Sequence, residues 1–284
     1  MKKLKRIIVG IDVFERSNNV LKRALMVAKQ NKAELFIVHA VKTPWFAVPS
    51  YFGSKEITID IKGITKKIEK KMKTLNKNNK VSYSVIVREG NADDILLYES
   101  KLLKADMIVI GANTKDKKKF LGTTAEKIAH QSHLPVLIVK NIVKDKYHSV
   151  VAPTDFQTQS KQSILFTQNI FPVAKISLVN SSEVIYVDGP YTVVGPDYVE
   201  YNKAAKAHAK RELKDFMKDL SIKKGKIIDG DGNSKKVLLD YINRGSYDLV
   251  VVGSRGTLGF NALLGSVASS ILRETTADVL VYVP

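Results

Sequence analysis

The fold is decided by the sequence DMIVIGA, residues 106–112, because it recurs as DLVVVGS at residues 248–254. The two copies stand about half of the 284-residue chain apart. Each copy contains a short apolar run without polar alternation, which is typical of a parallel strand covered by helices on both faces. A repeat of this length indicates a duplicated domain rather than the 20–50-residue unit of a solenoid.

The rest of the chain follows the same repeat. Three further pairs of segments match: IIVGID (7–12) with VVAPTD (150–155), LFIVH (35–39) with ISLVN (176–180), and GN (90–91) with GN (232–233). Strands are predicted near residues 6–12, 33–41, 81–88, 105–111, 135–140, 148–154, 174–181, 225–229, 247–253 and 278–283. Helices are predicted near residues 17–31, 57–78, 92–103, 122–132, 158–171, 199–220, 234–244 and 265–275. This alternation indicates parallel strands joined by right-handed crossovers.

We therefore predict an α/β fold of two similar doubly wound, five-stranded, parallel-sheet domains of Rossmann-like type. The predicted domains are residues 1–142 and 146–284, with a short linker near 141–147. The last strand of each half is apolar enough to be hazardous as an exposed edge. We expect these two strands to pair, so that the halves form an internal pseudo-dimer.

Composition limits the partners that the chain can have. The net charge is +18, and residues 1–142 carry 28 Lys and Arg against 13 Asp and Glu. Such a surface attracts nucleic acid, an anionic membrane or an acidic protein, or keeps the protein in solution. No aromatic residues that could stack on bases alternate with the lysines, which argues against a nucleic-acid partner. With no cysteine and no apolar run of membrane-spanning length, we expect a cytoplasmic protein.

Two segments interrupt the alternation, at residues 42–56 and 183–198. Both contain prolines, and the first also contains four aromatic residues: Trp45, Phe46, Tyr51 and Phe52. Loops of this length in compact domains often act as lids or binding loops. The alternative is that the aromatic residues cover the neighbouring domain, and the sequence does not decide between the two.

A glycine-rich segment in the second half contains the residues best suited to bind a ligand. Ligands of open parallel sheets bind at the carboxyl ends of the strands. There Gly253, Arg255 and Gly256 precede Gly265 and Ser266, which open a predicted helix. Glycines let the backbone approach a ligand, and a helix N-terminus offers unpaired N–H groups and a positive dipole end. With the Arg255 guanidinium, this arrangement is suited to phosphate.

These residues resemble the ATP-binding signature of the universal stress protein family, Gly-x2-Gly-x9-Gly-(Ser/Thr). The aspartates Asp12 and Asp155 at the ends of the first strands, and PVLIV at 135–139, match the family as well. The resemblance covers nearly the whole chain as two tandem domains. One departure is the loop, where eight residues, 257–264, stand in place of nine. This spacing leaves open whether a triphosphate is accepted.

The resemblance implies a nucleotide site in the second half. Asp155 is expected beside the ribose and adenine, and the backbone of Ser181 at the adenine edge. The residues implied to hold ribose and phosphates are Gly253, Arg255, Gly256, Gly265, Ser266 and Val267. The implied cofactor is ATP, with AMP or ADP as alternatives and Mg²⁺ accompanying a bound nucleotide.

In the first half the same resemblance implies a degenerate site. The matching residues are Asp12, Ala40, Gly111, Gly122 and Thr123. Thr114 replaces the middle glycine, and ten residues separate Gly111 from Gly122 where eleven separate Gly253 from Gly265. A Cβ atom and a shorter loop are expected to close part of the phosphate cradle.

No catalytic or metal-ligating set emerges from the sequence. The histidines form no ligand cluster, and no general base stands out beside the glycine loop. The leading hypothesis is thus an adenine-nucleotide-binding stress-response protein with a binding or regulatory role and an unidentified protein partner. The alternatives are an interaction scaffold with a basic first domain and, less favoured, a slow ATP-hydrolysing enzyme.

Overall fold

The computed structural model describes residues 3–12, 17–42, 59–112, 121–182, 197–230, 233–254 and 264–284. The strands are β1 (Arg6–Ile11), β2 (Glu34–Val41), β3 (Tyr83–Glu89), β4 (Met107–Gly111), β5 (Val136–Val139), β6 (Ser149–Pro153), β7 (Lys175–Ser182), β8 (Lys224–Asp229), β9 (Leu249–Gly253) and β10 (Asp278–Tyr282). The helices are α1 (Ser17–Asn31), α2 (Ile61–Asn76), α3 (Ala92–Leu102), α4 (Thr123–Gln131), α5 (Thr158–Ile170), α6 (Asp197–Asp219), α7 (Ser234–Arg244) and α8 (Ser266–Glu274).

All of these strands belong to one ten-stranded sheet in the order β3-β2-β1-β4-β5-β10-β9-β6-β7-β8. Neighbouring strands are parallel except at the centre, where β5 and β10 pair antiparallel with Leu137 opposite Leu280. Each half therefore has the same strand order, and a pseudo-two-fold axis relates the halves. The predicted fold class and the predicted pairing of the last strands are both confirmed.

The helices cover both faces of the sheet, as the apolar strand runs require. On one face, side chains of α1, α2, α5 and α6, such as Leu25, Met72 and Ile164, form one core cluster. On the other, side chains of α3, α4, α7 and α8, such as Ile128 and Ile271, form a second cluster. Each cluster contains residues of both halves, so the hydrophobic core is continuous across the centre of the sheet.

The aspartate that opens the repeated motif has a structural role. Asp106 Oδ2 accepts hydrogen bonds from the backbone N–H groups of Lys5 (2.8 Å) and Arg6 (3.0 Å). Asp248 Oδ2 does the same for His148 (2.9 Å) and Ser149 (2.8 Å). In both halves this carboxylate accepts hydrogen bonds from backbone N–H groups at the start of the adjacent strand, β1 or β6. Without it, these N–H groups would lack an acceptor.

The observed elements begin and end close to the predicted positions. The largest difference is the helix predicted near 57–78, which is observed at Ile61–Asn76. Asp60 defines its start, because Asp60 Oδ1 accepts the Gly63 N–H at 2.8 Å as an N-cap residue does. The interrupting segments cannot be compared, because residues 43–58 and 183–196 lie outside the described residues. No helix in the described part of the chain is both long and apolar enough to span a membrane.

A buried polar cluster, which we call the interdomain clamp, fastens the linker to the second half. Its centre is Asp278, which is fully buried. Asp278 Oδ1 accepts the backbone N–H groups of Lys140 (2.8 Å) and Asn141 (3.0 Å), and Oδ2 accepts the Tyr147 hydroxyl (2.6 Å). The Arg23 guanidinium on α1 lies 3.8 Å from the Tyr147 ring centre, with Arg23 Nε 3.7 Å from Asp278 Oδ2. Burial raises the pKa of Asp278, although these hydrogen bonds oppose that shift.

Candidate functional site

The candidate site lies where β6, β7 and β9 end in the second half. These strands are neighbours in the order β9-β6-β7, and all three are parallel, so their carboxyl ends share one edge. The chain passes from β6 to β7 on one side and returns to β9 on the other. This reversal creates the crevice in which open α/β sheets bind their ligands.

Asp155 lies just beyond the end of β6, separated from the strand by Thr154. Its side chain is exposed, and Oδ1 accepts hydrogen bonds from the Gln157 N–H (3.1 Å) and the Ser160 hydroxyl (2.8 Å). Asp155 and Ser160 are thus in contact at the start of α5. The contact fixes the turn into α5 and holds the carboxylate at the edge of the crevice.

Asn180, near the end of β7, preserves a contact that the first half makes with a histidine. Asn180 Nδ2 donates to the Thr154 carbonyl oxygen at 2.8 Å. At the corresponding place, His39 Nδ1 lies 2.9 Å from the Ile11 carbonyl oxygen, and it must carry a proton because a carbonyl accepts only. The change from His to Asn therefore keeps the strand ends joined in the same way.

Ser181, the residue matched to the adenine edge, lies against the end of β8. Its Oγ is buried and has no hydrogen-bond partner among the described residues. A Cβ built on Gly230 would lie 3.0 Å from Ser181 Oγ and 2.5 Å from the Ser182 carbonyl oxygen. Position 230 must therefore be glycine for β8 to pass this close to β7.

Gly253 and Ser254 form the end of β9. A Cβ on Gly253 would lie 3.3 Å from the Gln159 carbonyl oxygen, so glycine at this position lets the first turn of α5 approach the strand. Ser254 is fully buried, and its Oγ has no hydrogen-bond partner in the described part of the chain. Sequence reasoning missed Ser254 as a candidate. The sequence does contain a sign of it, because the repeated motif ends in Ser254 in the second half and in Ala112 in the first.

The N-terminus of α8 lies beyond the same motif. Gly265 is the N-cap residue, with φ −64° and ψ 166°, and no described side chain makes a capping hydrogen bond at this end. Ser266 is exposed, whereas Val267 packs against the second core cluster and anchors the first turn. Arg255 and Gly256, with residues 257–263, lie outside the described residues.

The first half has the same layout but a different donor arrangement. Gly122 is the N-cap residue of α4, and its N–H donates to the Ala112 carbonyl oxygen at 2.8 Å. Among the described residues, Gly265 makes no such bond to Ser254. In the first half this N–H is therefore paired with the backbone, whereas the described residues of the second half contain no corresponding bond.

The remaining residues of the predicted first-half site occupy corresponding places. Asp12 is exposed after β1, Ala40 lies in β2, Gly111 ends β4 and Thr123 is exposed at the start of α4. Thr114 and the lysines at 115 and 117–119 lie outside the described residues. Within the described residues of both halves, no three side chains of His, Cys, Asp or Glu gather as a metal site would.

Comparison with known proteins decides the family. The sequence profile described as the Universal stress protein family matches the chain twice, at residues 3–140 and 146–283. The chain belongs to the universal stress protein family. Each match spans nearly one half of the sheet, in agreement with the resemblance seen in the sequence.

Individual relatives are similar to one half at a time. A universal stress protein of Methanocaldococcus jannaschii is 29% identical over 145 residues, which is 50% of this chain and 85% of that protein. The universal stress protein YxiE of Bacillus subtilis is 28% identical over 146 residues, which is 48% of this chain and 98% of that protein.

Solved structures share the fold of the whole chain. A universal stress protein from Archaeoglobus fulgidus has a TM-score of 0.62 at 17% identity, with 98% of this chain and 97% of that chain covered. A functionally unknown protein from Pseudomonas aeruginosa has a TM-score of 0.74 at 16% identity, with 98% and 92% covered. These structures establish the tandem architecture.

Proposed function

We propose that the second half binds an adenine nucleotide, and that the chain acts as a binding or regulatory protein in stress physiology rather than as a dedicated enzyme. The observation that carries this proposal is the N-terminus of α8 at the carboxyl ends of the second-half strands, where no side chain of the described residues caps the helix. Asp155 and Gly253 lie at the same edge, as the family pattern of a ribose-phosphate site requires.

The chemistry of this edge suits a phosphate chain. The first N–H groups of a helix have no acceptor within the helix, and the dipole places a partial positive charge there. Gly265 and Ser266 would contribute backbone donors and a hydroxyl, while Asp155 would accept hydrogen bonds from a ribose. Mg²⁺ would arrive with the nucleotide, because its preferred oxygen ligands include the phosphates themselves.

The first half is proposed to bind nucleotide much more weakly. Its Gly122 N–H is already paired with the Ala112 carbonyl oxygen, so the corresponding donor is withdrawn from a ligand. One lost or misplaced hydrogen bond to a phosphate costs about 1–3 kcal/mol, which is roughly ten- to a hundredfold in affinity. The expected stoichiometry is one nucleotide per chain.

A second candidate function is an interaction scaffold, and one observation favours it. A cavity of about 510 Å³ opens at the amino ends of β1, β2 and β3, away from the carboxyl ends of the first-half strands. Its lining includes four lysines and one glutamate: Lys5, Lys29, Lys32, Lys80 and Glu34. Such a surface fits an acidic partner, and it does not require a nucleotide.

Calorimetric titration of the full-length chain with ATP, ADP, AMP and GTP tests the proposal. We expect one site per chain, a preference for adenine nucleotides, and phosphate release no faster than the buffer background. Absence of binding at millimolar nucleotide would reject the proposal and favour the scaffold. Turnover well above background that is lost in Asp155→Ala would favour the enzyme alternative.

A further inference from the structure

Two buried hydroxyls distinguish the second half from the first. Ser181 Oγ and Ser254 Oγ are both buried without a hydrogen-bond partner among the described residues. The backbone shows which first-half residues correspond. Ser254 N donates to the carbonyl oxygen of Tyr282 on β10, and Ala112 N donates to that of Val139 on β5.

The second hydroxyl is matched in the same way. Gly230 N donates to the Ser182 carbonyl oxygen, and Gly90 N donates to that of Val41. The residue before Ser182 is Ser181, and the residue before Val41 is Ala40. Both hydroxyls therefore stand where the first half has alanine.

Alanine at both first-half positions shows that this sheet edge forms without the hydroxyls. A buried hydroxyl without a partner is destabilising, because it has lost its hydrogen bonds to water. The pair therefore weakens the ligand-free second half. Their burial without a partner is explained if the partner is a bound molecule.

Both hydroxyls lie on the face of the sheet that carries α7 and α8. Val179 on β7 and Val252 on β9 belong to the core cluster of that face, together with Ile271 of α8. Side chains alternate along a strand, so Ser181 and Ser254, each two residues further on, lie on the same face. The uncapped first turn of α8 belongs to this layer.

We propose that Ser181 and Ser254 are specificity-determining contacts of the second-half site, and that they hydrogen bond to a bound nucleoside phosphate. Ser254, beside Gly253, would donate to a ribose or phosphate oxygen. Ser181 would pair with the base. This inference rests on the proposed function.

The test combines stability and affinity in full-length Ser181→Ala and Ser254→Ala variants. We expect each ligand-free variant to melt about 1–3 °C above the wild type, because an unpaired buried hydroxyl is removed. We expect each to bind ATP about three- to tenfold more weakly, because a ligand hydrogen bond is lost. If the serine were purely structural, its replacement by alanine would lower the stability and leave the ATP affinity unchanged.

Ala112→Ser is the matched control. It adds a buried hydroxyl at the corresponding first-half position and should lower the melting temperature without changing ATP affinity. Wild-type ATP affinity in both serine variants, or a lower melting temperature in both, would overturn the inference while leaving the proposed function intact. Absence of ATP binding by the wild type would overturn both.

Discussion

Replacing Asp278 by alanine tests how firmly the interdomain clamp holds the two halves together. The substitution leaves the N–H groups of Lys140 and Asn141 and the Tyr147 hydroxyl without the acceptor that each now has. It also leaves the Arg23 guanidinium, 6% exposed, without its counter-charge. Each unsatisfied buried group costs about 1–3 kcal/mol, and breaking a buried ion pair about 3–5 kcal/mol.

The expected loss in the free energy of unfolding is about 3–5 kcal/mol, below the sum of these effects because Asn141 is exposed and its N–H can recruit water. Tyr147→Phe removes one hydrogen bond to the carboxylate and should cost about 1.5–3 kcal/mol. Urea unfolding followed by far-ultraviolet circular dichroism measures both.

Asp219→Ala is the control, because Asp219 makes an exposed ion pair with Lys161 and should change stability by less than about 1 kcal/mol. If Asp278→Ala changed stability no more than Asp219→Ala, the clamp would not stabilise the fold.

Three further predictions concern pH, backbone space and a strand-end contact. Burial raises the pKa of Asp278 above the ordinary aspartate value of 3.8, so the native state holds this proton more tightly than the unfolded chain. Its contribution to stability should thus fall as the pH rises from 3.8 through the raised pKa, a slope that Asp278→Asn should remove in urea titrations at successive pH values. Gly230→Ala places a Cβ 2.5 Å from the Ser182 carbonyl oxygen and should destabilise the chain by about 1–3 kcal/mol; an unchanged melting temperature would contradict this. Asn180→Ala should cost about 0.5–1.5 kcal/mol by removing the bond to Thr154, whereas Asn180→His should be better tolerated, because histidine makes this contact in the first half; equal losses would count against it.

The sequence predicted the fold well because its signals are local or repeated. The two apolar runs ending in Gly111 and Gly253 indicated buried parallel strands, and hydrophobic last strands predicted the central pairing that joins Leu137 to Leu280. The clamp was not predicted. Asp278 stands where the first half has Pro135, and a charged residue at the start of a strand gives no sign that a distant arginine and the linker will surround it.

The sequence predicted the positions of the candidate site, but not the hydrogen bonds that its backbone donors make. Gly122 and Gly265 look equivalent in sequence, and their difference lies in one backbone hydrogen bond to Ala112. The Ser254 hydroxyl was missed for a related reason. Whether a buried hydroxyl has a partner depends on the surrounding packing, which the spacing of motifs does not report.

The central claim, a nucleotide site at the N-terminus of α8, is tested most directly by comparing Gly265→Asp with Gly122→Asp. Both N-cap residues have extended backbones, with ψ 166° and 151°, which aspartate adopts readily. Replacing Gly by Asp at an N-cap changes the free energy of unfolding by only about a few tenths of a kcal/mol. In the second half the new carboxylate would occupy the helix N–H donors and repel phosphate. Calorimetry should show ATP affinity about 100-fold weaker in Gly265→Asp and within about twofold of the wild type in Gly122→Asp. Unchanged affinity in Gly265→Asp, or a loss confined to Gly122→Asp, would contradict the account.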